Sequence, residues 1–335
     1  MSELPSSDAL SARPGPRPEG VRGPTGAPPP FIRAIEIWAP DLARERLRLV
    51  SALHGPLVGF AAATRDLSFG HDEGLPGKAW AEGRPVILHD LTNSYFLRGE
   101  AAAAAGLTCG VAIPVFAGAF LQAGVVMFLG VGKSAVGAVE LWRAAPGSPD
   151  MTLADGHFGV AEGFEFSARH TTFRKGVGLP GLAWQAGGPV LMDDLGRAKQ
   201  FLRRESAESV GINRGVALPC PAPGDDGTWV LALLSAAGTP IARRFETWAP
   251  DGERLTLTDS MGEGGAAGFG IDAGEGLIGK VWRSGIPALC DDLSREATAL
   301  TPPHAALAAA AGLRSAVALP AIEGGRLHSI LVWYL

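Results

Sequence analysis

Glycines spaced as in a nucleotide-binding turn occur near the end of the chain. The stretch GEGLIG at residues 274–279 fits the pattern G-x-G-x-x-G. In such turns, backbone N–H groups and the N-terminus of the following helix can bind a pyrophosphate. This chemistry requires a tight turn after a strand and a long helix behind it.

The same stretch recurs twice earlier in the chain, as GLPGKAWAEGRPVILHDL at 74–91 and GLPGLAWQAGGPVLMDDL at 178–195. In each copy a glycine and a proline, Gly83 and Pro85 in the first, end the helix about two turns after it begins. Copy one also has Asp72 where the first glycine of the fingerprint belongs. The pattern therefore favours a short helix, docked by its tryptophan, over a phosphate-binding turn.

The recurrence indicates a threefold repeat, because the copies lie ~100 residues apart, which is a domain-sized period. The flanks recur as well: AIEIWAPD, AVELWRAA and RFETWAPD stand upstream, and GLTCGVAIPV, GINRGVALPC and GLRSAVALPA stand downstream. We predict a disordered Pro/Gly-rich tail at 1–30 and three domains at 31–132, 133–238 and 239–335.

Composition is that of a globular protein, with 47% hydrophobic and 19% charged residues. A net charge of -5 gives no basic field, so nucleic acid is not an expected partner. The N-terminus lacks the apolar run of a signal peptide, and the three scattered cysteines fit neither a disulfide framework nor a zinc site. We therefore expect a cytoplasmic protein.

Two further motifs are explained by comparing the copies. The uncharged stretch at 109–132 is long enough to span a membrane, but its counterparts contain the polar turns GDDGTW and EGGRLH. We interpret all three as β-hairpins and expect no membrane span. GVGKSAV at 130–136 resembles the end of a P-loop, but Met127 stands where the first glycine of that loop belongs.

The ordered set of motifs resembles the GAF domain, three times in tandem. The set comprises x-E-x-W, then G-L-P-G-x-x-W-x-x-G-x-P, then Asp-Leu, an Ala-rich helix, G-V-A-[IL]-P and a final apolar strand. The resemblance implies an α+β fold in which a central antiparallel sheet carries short helices on its faces. It also implies a small-molecule sensor that regulates an attached or partner output. We expect the repeats to lack the long flanking helices usual in the family.

Candidate ligand-binding residues follow from this resemblance, which places a pocket between the sheet and the Ala-rich helix. They are Asp90, Tyr95, Phe96 and Arg98 in the first copy and Asp194, Phe201 and Arg203 in the second. The two arginines would pair with an anionic or carbonyl group of the ligand. The third copy has Pro302 to His304 instead, so we expect binding only in copies one and two.

Structural roles are the alternative interpretation of the repeated tryptophans and aspartates. Trp80, Trp184 and Trp282 recur on the short helices and are expected to be structural core rather than ligand stacks. Asp90, Asp194 and Asp292 end a strand, where a carboxylate commonly caps backbone N–H groups. His89 does not recur, so no metal site is predicted.

Two classes of function remain. In the first, the domains bind an unknown small molecule and signal through a partner protein. In the second, the pockets are filled and the protein is a scaffold that binds other proteins or itself. An enzyme is less favoured, because no nucleophile–base pair recurs and each copy has one cysteine, whereas a methionine-sulfoxide reductase of this fold needs several. The bilin and cyclic-nucleotide signatures of the family are absent, and no cofactor is implied.

Overall fold

The computed structural model describes residues 31–130, 136–236, 238–264, 270–296, 298–323 and 325–335. The predicted tail at 1–30 and most of the P-loop-like stretch therefore lie outside the described residues. Within the described ranges, no helix is both long enough and apolar enough to cross a membrane.

The first repeat contains six strands and three short helices. They are β1 Ile32–Pro40, β2 Arg46–Leu53, α1 Val58–Thr64, β3 Ser68–Gly70, α2 Gly74–Glu82, β4 Val86–Leu88, α3 Gly99–Ala104, β5 Leu107–Ala117 and β6 Phe120–Gly130. The uncharged stretch at 109–132 forms most of the antiparallel pair β5 and β6, so its interpretation as a hairpin is confirmed.

The second repeat follows the same order of elements, and the third follows it without a described helix between its second and third strands. The second has β7 Gly137–Ala144, β8 Asp150–His157, α4 Glu162–Arg169, β9 Phe173–Arg174, α5 Gly178–Ala186, β10 Val190–Met192, α6 Arg204–Ser209, β11 Arg214–Cys220 and β12 Thr228–Ser235. The third has β13 Arg244–Asp251, β14 Arg254–Gly262, β15 Gly270–Asp272, α7 Gly276–Ser284, β16 Ala288–Cys290, α8 Pro302–Ala310, β17 Ala316–Glu323 and β18 Arg326–Tyr334.

Each repeat forms one six-stranded antiparallel sheet, and the strand order is the same in all three. The first sheet runs β3-β2-β1-β6-β5-β4, and the others run β9-β8-β7-β12-β11-β10 and β15-β14-β13-β18-β17-β16. Short helices cover one face of each sheet. The predicted α+β fold, three repeats that each have a central antiparallel sheet and short helices, is confirmed.

The glycine motif builds a short helix rather than a phosphate cradle. Helices α2, α5 and α7 are each nine residues long and end at Gly83, Gly187 and Gly285, with φ of 66°, 64° and 67°. A side chain is disfavoured in that left-handed conformation. At Gly77, a Cβ would lie 2.1 Å from the backbone oxygen of Gly70, so the helix can approach the neighbouring strand only with glycine there.

The faces of the three sheets that are not covered by helices pack against one another in a shared apolar cluster. Ile35, Val111, Leu141, Leu218 and Trp333 are among its buried members, so every repeat contributes. Edge strands also touch the next sheet: β4 contacts β8, β10 contacts β14, and β16 contacts β2. The third repeat thus returns to the first, and the three sheets close a ring in which each helps to cover the others.

The helix-covered face of each sheet packs against the helices of its own repeat in a separate apolar cluster. Trp38, Trp142 and Trp248, on the central strands, are completely buried there. The motif tryptophans Trp80, Trp184 and Trp282 are half-buried and pack against the same clusters. The motif tryptophans therefore lie at the edge of the core, whereas those of x-E-x-W lie at its centre.

Candidate functional site

A buried glutamate marks the same point in all three repeats. Glu36, Glu140 and Glu246 lie on the central strands β1, β7 and β13, and all three are buried. Each accepts a hydrogen bond from the indole N–H of the tryptophan two residues later, at 2.9, 2.9 and 3.0 Å. A buried carboxylate needs a compensating positive charge.

In the first repeat Arg98 supplies that charge. Its Nη1 and Nη2 donate to Oε1 and Oε2 of Glu36 at 2.6 and 2.9 Å, and the two side chains are 2% and 0% exposed. His54 Nε2 lies 2.9 Å from the same carboxylate, and Thr64 also contacts Arg98 and Glu36. Burial by itself raises the pKa of Glu36, but the Arg98 charge and the hydrogen bonds from His54 and Arg98 hold it below its ordinary value.

The second repeat forms the same pair with fewer polar neighbours. Arg203 donates to both oxygens of Glu140 at 2.6 and 2.7 Å, and the side chains are again 2% and 0% exposed. Apolar residues, Phe158 and Ala168, stand at the positions of His54 and Thr64. The bidentate ion pair is therefore the feature that the two repeats share.

Aromatic rings surround both guanidinium groups. The Arg98 guanidinium carbon lies 4.5 Å from the ring centroid of Phe60 and 5.0 Å from that of Phe96. The Arg203 carbon lies 4.4 Å from the centroid of Phe164. These distances are within the range of cation–π contacts. A cage that could receive a cationic ligand is thus occupied by a cation of the same chain.

In the third repeat different residues surround the glutamate. Arg244, from the same strand, donates its Nε–H to Glu246 at 2.6 Å, and His304 Nε2 lies 3.1 Å from the carboxylate. The hydroxyl of Tyr334 donates to Glu246 at 3.0 Å. Burial alone raises the pKa of Glu246, but His304, followed by Arg244, lowers it to about 2. A cavity of about 10 Å³ lies beside this group, enough for about one water molecule.

The structure divides the predicted ligand residues between interior and surface. Phe96, Arg98, Phe201 and Arg203 belong to the two buried cages, whereas Asp90, Tyr95 and Asp194 are exposed. The arginines expected to meet a ligand anion are paired with Glu36 and Glu140 instead. The seven residues therefore do not line one common pocket in either repeat.

The exposed aspartates bind backbone N–H groups of the turns that follow them. Asp90 Oδ1 accepts from the N–H groups of Thr92 and Asn93 at 2.7 and 3.0 Å, and Asp194 Oδ1 accepts from that of Arg197 at 3.1 Å. These hydrogen bonds lower the pKa of Asp90. The geometry matches the capping interpretation of these residues.

A surface groove of about 980 Å³ lies in the second repeat. Its lining combines one side of α5, all of β10 and the segment that follows: Leu182, Gln185, Ala186, Val190, Leu191, Met192, Asp193, Asp194, Ala198, Lys199 and Gln200. Asp194 is the predicted ligand residue that this groove includes.

The thiols of the three cysteines are buried. The three cysteines are free and buried, and burial raises the pKa of Cys220 to about 12 and that of Cys290 to about 11. Thiols with raised pKa values are poor nucleophiles at neutral pH. In the described ranges, no group of three or more His, Cys, Asp or Glu side chains is arranged to hold a metal ion.

The glutamate partners were missed in the sequence, although a signal was present. A glutamate recurs in the middle of a strand that is otherwise apolar, as in AIEIW and AVELW. A charge at such a position requires a buried partner. Arg98 and Arg203 recur together with that glutamate, and the third repeat lacks an arginine at this position but contains His304.

No family model and no curated protein matches this sequence. Solved structures are similar over about one repeat. A GAF domain of A. Aeolicus nlh2 in an inactive state is 20% identical, over 30% of this chain and 60% of that one, with a TM-score of 0.26. The GAF domain of a two-component sensor histidine kinase from Bacillus halodurans is 14% identical, over 28% and 63%, with a TM-score of 0.25.

A third similar structure is that of an enzyme. It is the free methionine-R-sulfoxide reductase from Neisseria meningitidis in complex with its substrate, which is 22% identical over 29% of this chain and 51% of that one, with a TM-score of 0.23. The chain forms three repeats of one six-stranded antiparallel sheet, which is consistent with three GAF-like repeats in tandem.

Proposed function

We propose that this protein is a non-catalytic regulatory scaffold that binds a partner protein, and that its GAF-like interiors are filled by its own side chains. The single observation that carries the proposal is the completely buried, bidentate pairing of Arg98 with Glu36 and of Arg203 with Glu140. Each interior site already holds a cation, its counter-ion and an aromatic surround.

A small anionic ligand would have to take the place of the glutamate on the arginine. That exchange would leave a buried carboxylate without its partner, which is strongly unfavourable, by about 3–5 kcal/mol in comparable cases. Glu36 accepts hydrogen bonds from Trp38 and Arg98 together, so it has little freedom to move aside. The interiors are therefore suited to closure rather than to exchange of ligands.

The third repeat supports the same conclusion through different chemistry. Glu246 is surrounded by Arg244, Tyr334 and His304, and His304 stands at the position of Arg98 and Arg203. The cavity left beside them has room for about one water molecule. Different side chains at equivalent positions thus fill the interiors of the three repeats.

The absence of catalysis is part of the proposal. Each repeat has one cysteine, and burial raises the pKa of each of the three thiols. A mechanism like that of a cysteine-dependent reductase would need an accessible thiolate. Free cysteines also fit a reducing cytoplasm, where we place this protein.

Binding of a small molecule is the second candidate function. The groove in the second repeat favours it, because about 980 Å³ is within the size range of ligand pockets and Asp194 lies on its wall. In that case the ligand would bind at the surface of the repeat and leave Arg203 and Glu140 paired.

The test of the proposal is cross-linking of the tagged full-length chain in its native cells, followed by identification of the attached proteins. A double variant, Arg203→Met with Glu140→Met, removes the ion pair while keeping the volume filled. We expect the same partner proteins for the wild type and the double variant. Partners that attach only after a small molecule is added, or that are lost in a folded double variant, would overturn the proposal.

A further inference from the structure

We propose that the edge strand β10 of the second repeat binds an extended segment of a partner protein, which pairs with it as an additional strand. The inference rests on the proposed function, since it names the surface and the kind of segment through which the scaffold binds. It concerns only the groove and uses none of the buried ion pairs.

The groove follows the edge of the sheet rather than one of its faces. Strand β10 is the last strand of its sheet and contacts β14 of the third repeat, but β11 is the one strand hydrogen-bonded to it among the described residues. Five consecutive residues, 190–194, line the groove. Successive residues of a strand point to opposite faces, so an opening lined by all three residues of β10 runs along the edge of that strand.

An extended peptide uses such an edge through backbone hydrogen bonds, and neighbouring pockets select its side chains. Here α5 forms one wall with Leu182 and Ala186, and the segment 198–200 forms the other. Val190 and Leu191 supply apolar surface between the walls. This arrangement fits a peptide with apolar side chains in alternation.

Charge at one end of the groove adds a second requirement. The side chains of Asp193 and Asp194 are 58% and 54% exposed. Asp193 is paired with Arg214 at 2.9 Å, but the Arg197 contact of Asp194 is long, at 3.5 Å, and belongs to an arginine that is almost completely exposed. Lys199 also lines the groove, on the facing segment. A lysine or arginine in the bound peptide would complement Asp194.

The side chains that open the groove are particular to the second repeat. Leu182, Ala186 and Gln200 correspond to Lys78, Glu82 and Tyr95 of the first repeat. There Lys78 is paired with Asp72, and burial followed by the charge of Glu82 raises the pKa of Tyr95, which places that ring beside α2. At these three positions the side chains of the first repeat are therefore larger than those of the second.

The experiment uses a phage library of random linear peptides, selected on the immobilised full-length chain. A double variant, Leu182→Lys with Ala186→Glu, imports the residues of the first repeat into the groove, at positions that are not buried. Ala103→Glu, at an exposed position on α3, is the control for an added charge. The enriched peptides are then synthesised with a fluorescent label and titrated against all three proteins.

We expect peptides rich in Val, Ile and Thr with a Lys or Arg, whose affinity falls about tenfold or more in the double variant and is unchanged in the control. Hydrogen exchange should show added protection of the amides at 190–192. The inference is overturned if the wild type enriches no peptides beyond the double variant, or if the added protection lies elsewhere. It is also overturned if small molecules bind the groove while peptides do not.

The two proposals fail separately. If the groove variant with Leu182→Lys and Ala186→Glu binds no peptide but keeps its cross-linked partner proteins, the groove is not the docking site. The scaffold function stands in that case. If the interior of a repeat takes up a small molecule in exchange for its glutamate, the scaffold function fails whatever the groove binds.

Discussion

Arg203 and Glu140 are 63 residues apart in the chain, yet both guanidinium nitrogens of the arginine meet both carboxylate oxygens, at 2.6 and 2.7 Å. The pair lies where Arg98 and Glu36 lie in the first repeat. Because both side chains are buried, neither charge is compensated by water. The stability of each interior therefore depends on both partners being present.

Removing one partner of this pair should be far more harmful than removing both. We expect Arg203→Met to lower the free energy of unfolding by about 3–5 kcal/mol, because Glu140 would remain buried and unpaired. The double variant with Glu140→Met should recover most of that loss. Urea unfolding followed by fluorescence provides the measurement.

The control is Arg197→Met, which removes an exposed ion pair with Asp194 from the same repeat. Its effect should be below about 1 kcal/mol, as for other surface pairs. Equal destabilisation by Arg203→Met and Arg197→Met would mean that the interior is open to water.

Acid should weaken the third repeat through Glu246. Its pKa is about 2 in the folded protein, below its ordinary 4.5, so folding favours the ionised form. The stability from this group is complete above about pH 4.5 and is lost as the pH falls from there towards 2. Urea unfolding across that range should show a steeper decline for the wild type than for Glu246→Gln. Parallel curves would contradict the assigned pKa.

A second acid-sensitive group lies between the first two repeats. Burial, and then the charge of His89, lowers the pKa of His157 to about 4, while Glu165 acts in the opposite direction. His89 itself is hydrogen-bonded to Asp155 at 2.9 Å. Because the folded pKa is depressed, the neutral form is favoured, and stability is lost as the pH falls from about 6.5 towards 4.

The matched variant is His157→Leu, since the first repeat has Leu53 at this position. We expect the variant to lose less stability than the wild type between pH 7 and 4. Thermal unfolding at a series of pH values measures the difference. An identical decline in both proteins would exclude His157 as its source.

A single repeat should not be stable alone. Residues such as Leu141 and Leu218 of the second repeat lie in the shared cluster and would be exposed without the first and third repeats. Apolar surfaces of this kind cause association. We expect residues 138–236 expressed alone to aggregate or self-associate in light scattering. A soluble monomer with the melting temperature of the full chain would contradict the shared core.

The two kinds of tryptophan should differ in importance. Trp142→Ala removes a completely buried ring and a hydrogen bond to Glu140, and should lower the free energy of unfolding by about 3–5 kcal/mol. Trp184 is half-buried, so Trp184→Ala should cost less, about 1–3 kcal/mol. Chemical unfolding of both variants tests the order, and a larger effect at Trp184 would reverse it.

Much of the fold could be predicted because its signals are local. Gly83, with φ of 66°, ends α2 where the glycine and proline pattern required, and the polar turns of the second and third copies identified the hairpin of the first. Repetition served as a control within one chain. Features that are not shared by all copies, such as the first glycine of the nucleotide fingerprint, are not part of the repeated fold.

The interior site could not be predicted in the same way, because it depends on contacts between distant residues. Arg98 was expected to face a ligand, since nothing near it in the chain indicated that Glu36, 62 residues earlier, would take that place. The ring of sheets depends likewise on β16 of the third repeat contacting β2 of the first.

Native mass spectrometry of the purified full-length chain, before and after incubation with a metabolite extract, tests the filled interiors most directly. The measurement uses the variant whose groove carries Leu182→Lys and Ala186→Glu, so that the groove does not bind ligands. We expect this variant to show the mass of the protein chain alone before and after incubation, because its interiors hold only their own side chains. A small molecule that remains bound to that variant, and that is lost when Arg98→Lys or Arg203→Lys is added, would contradict the account.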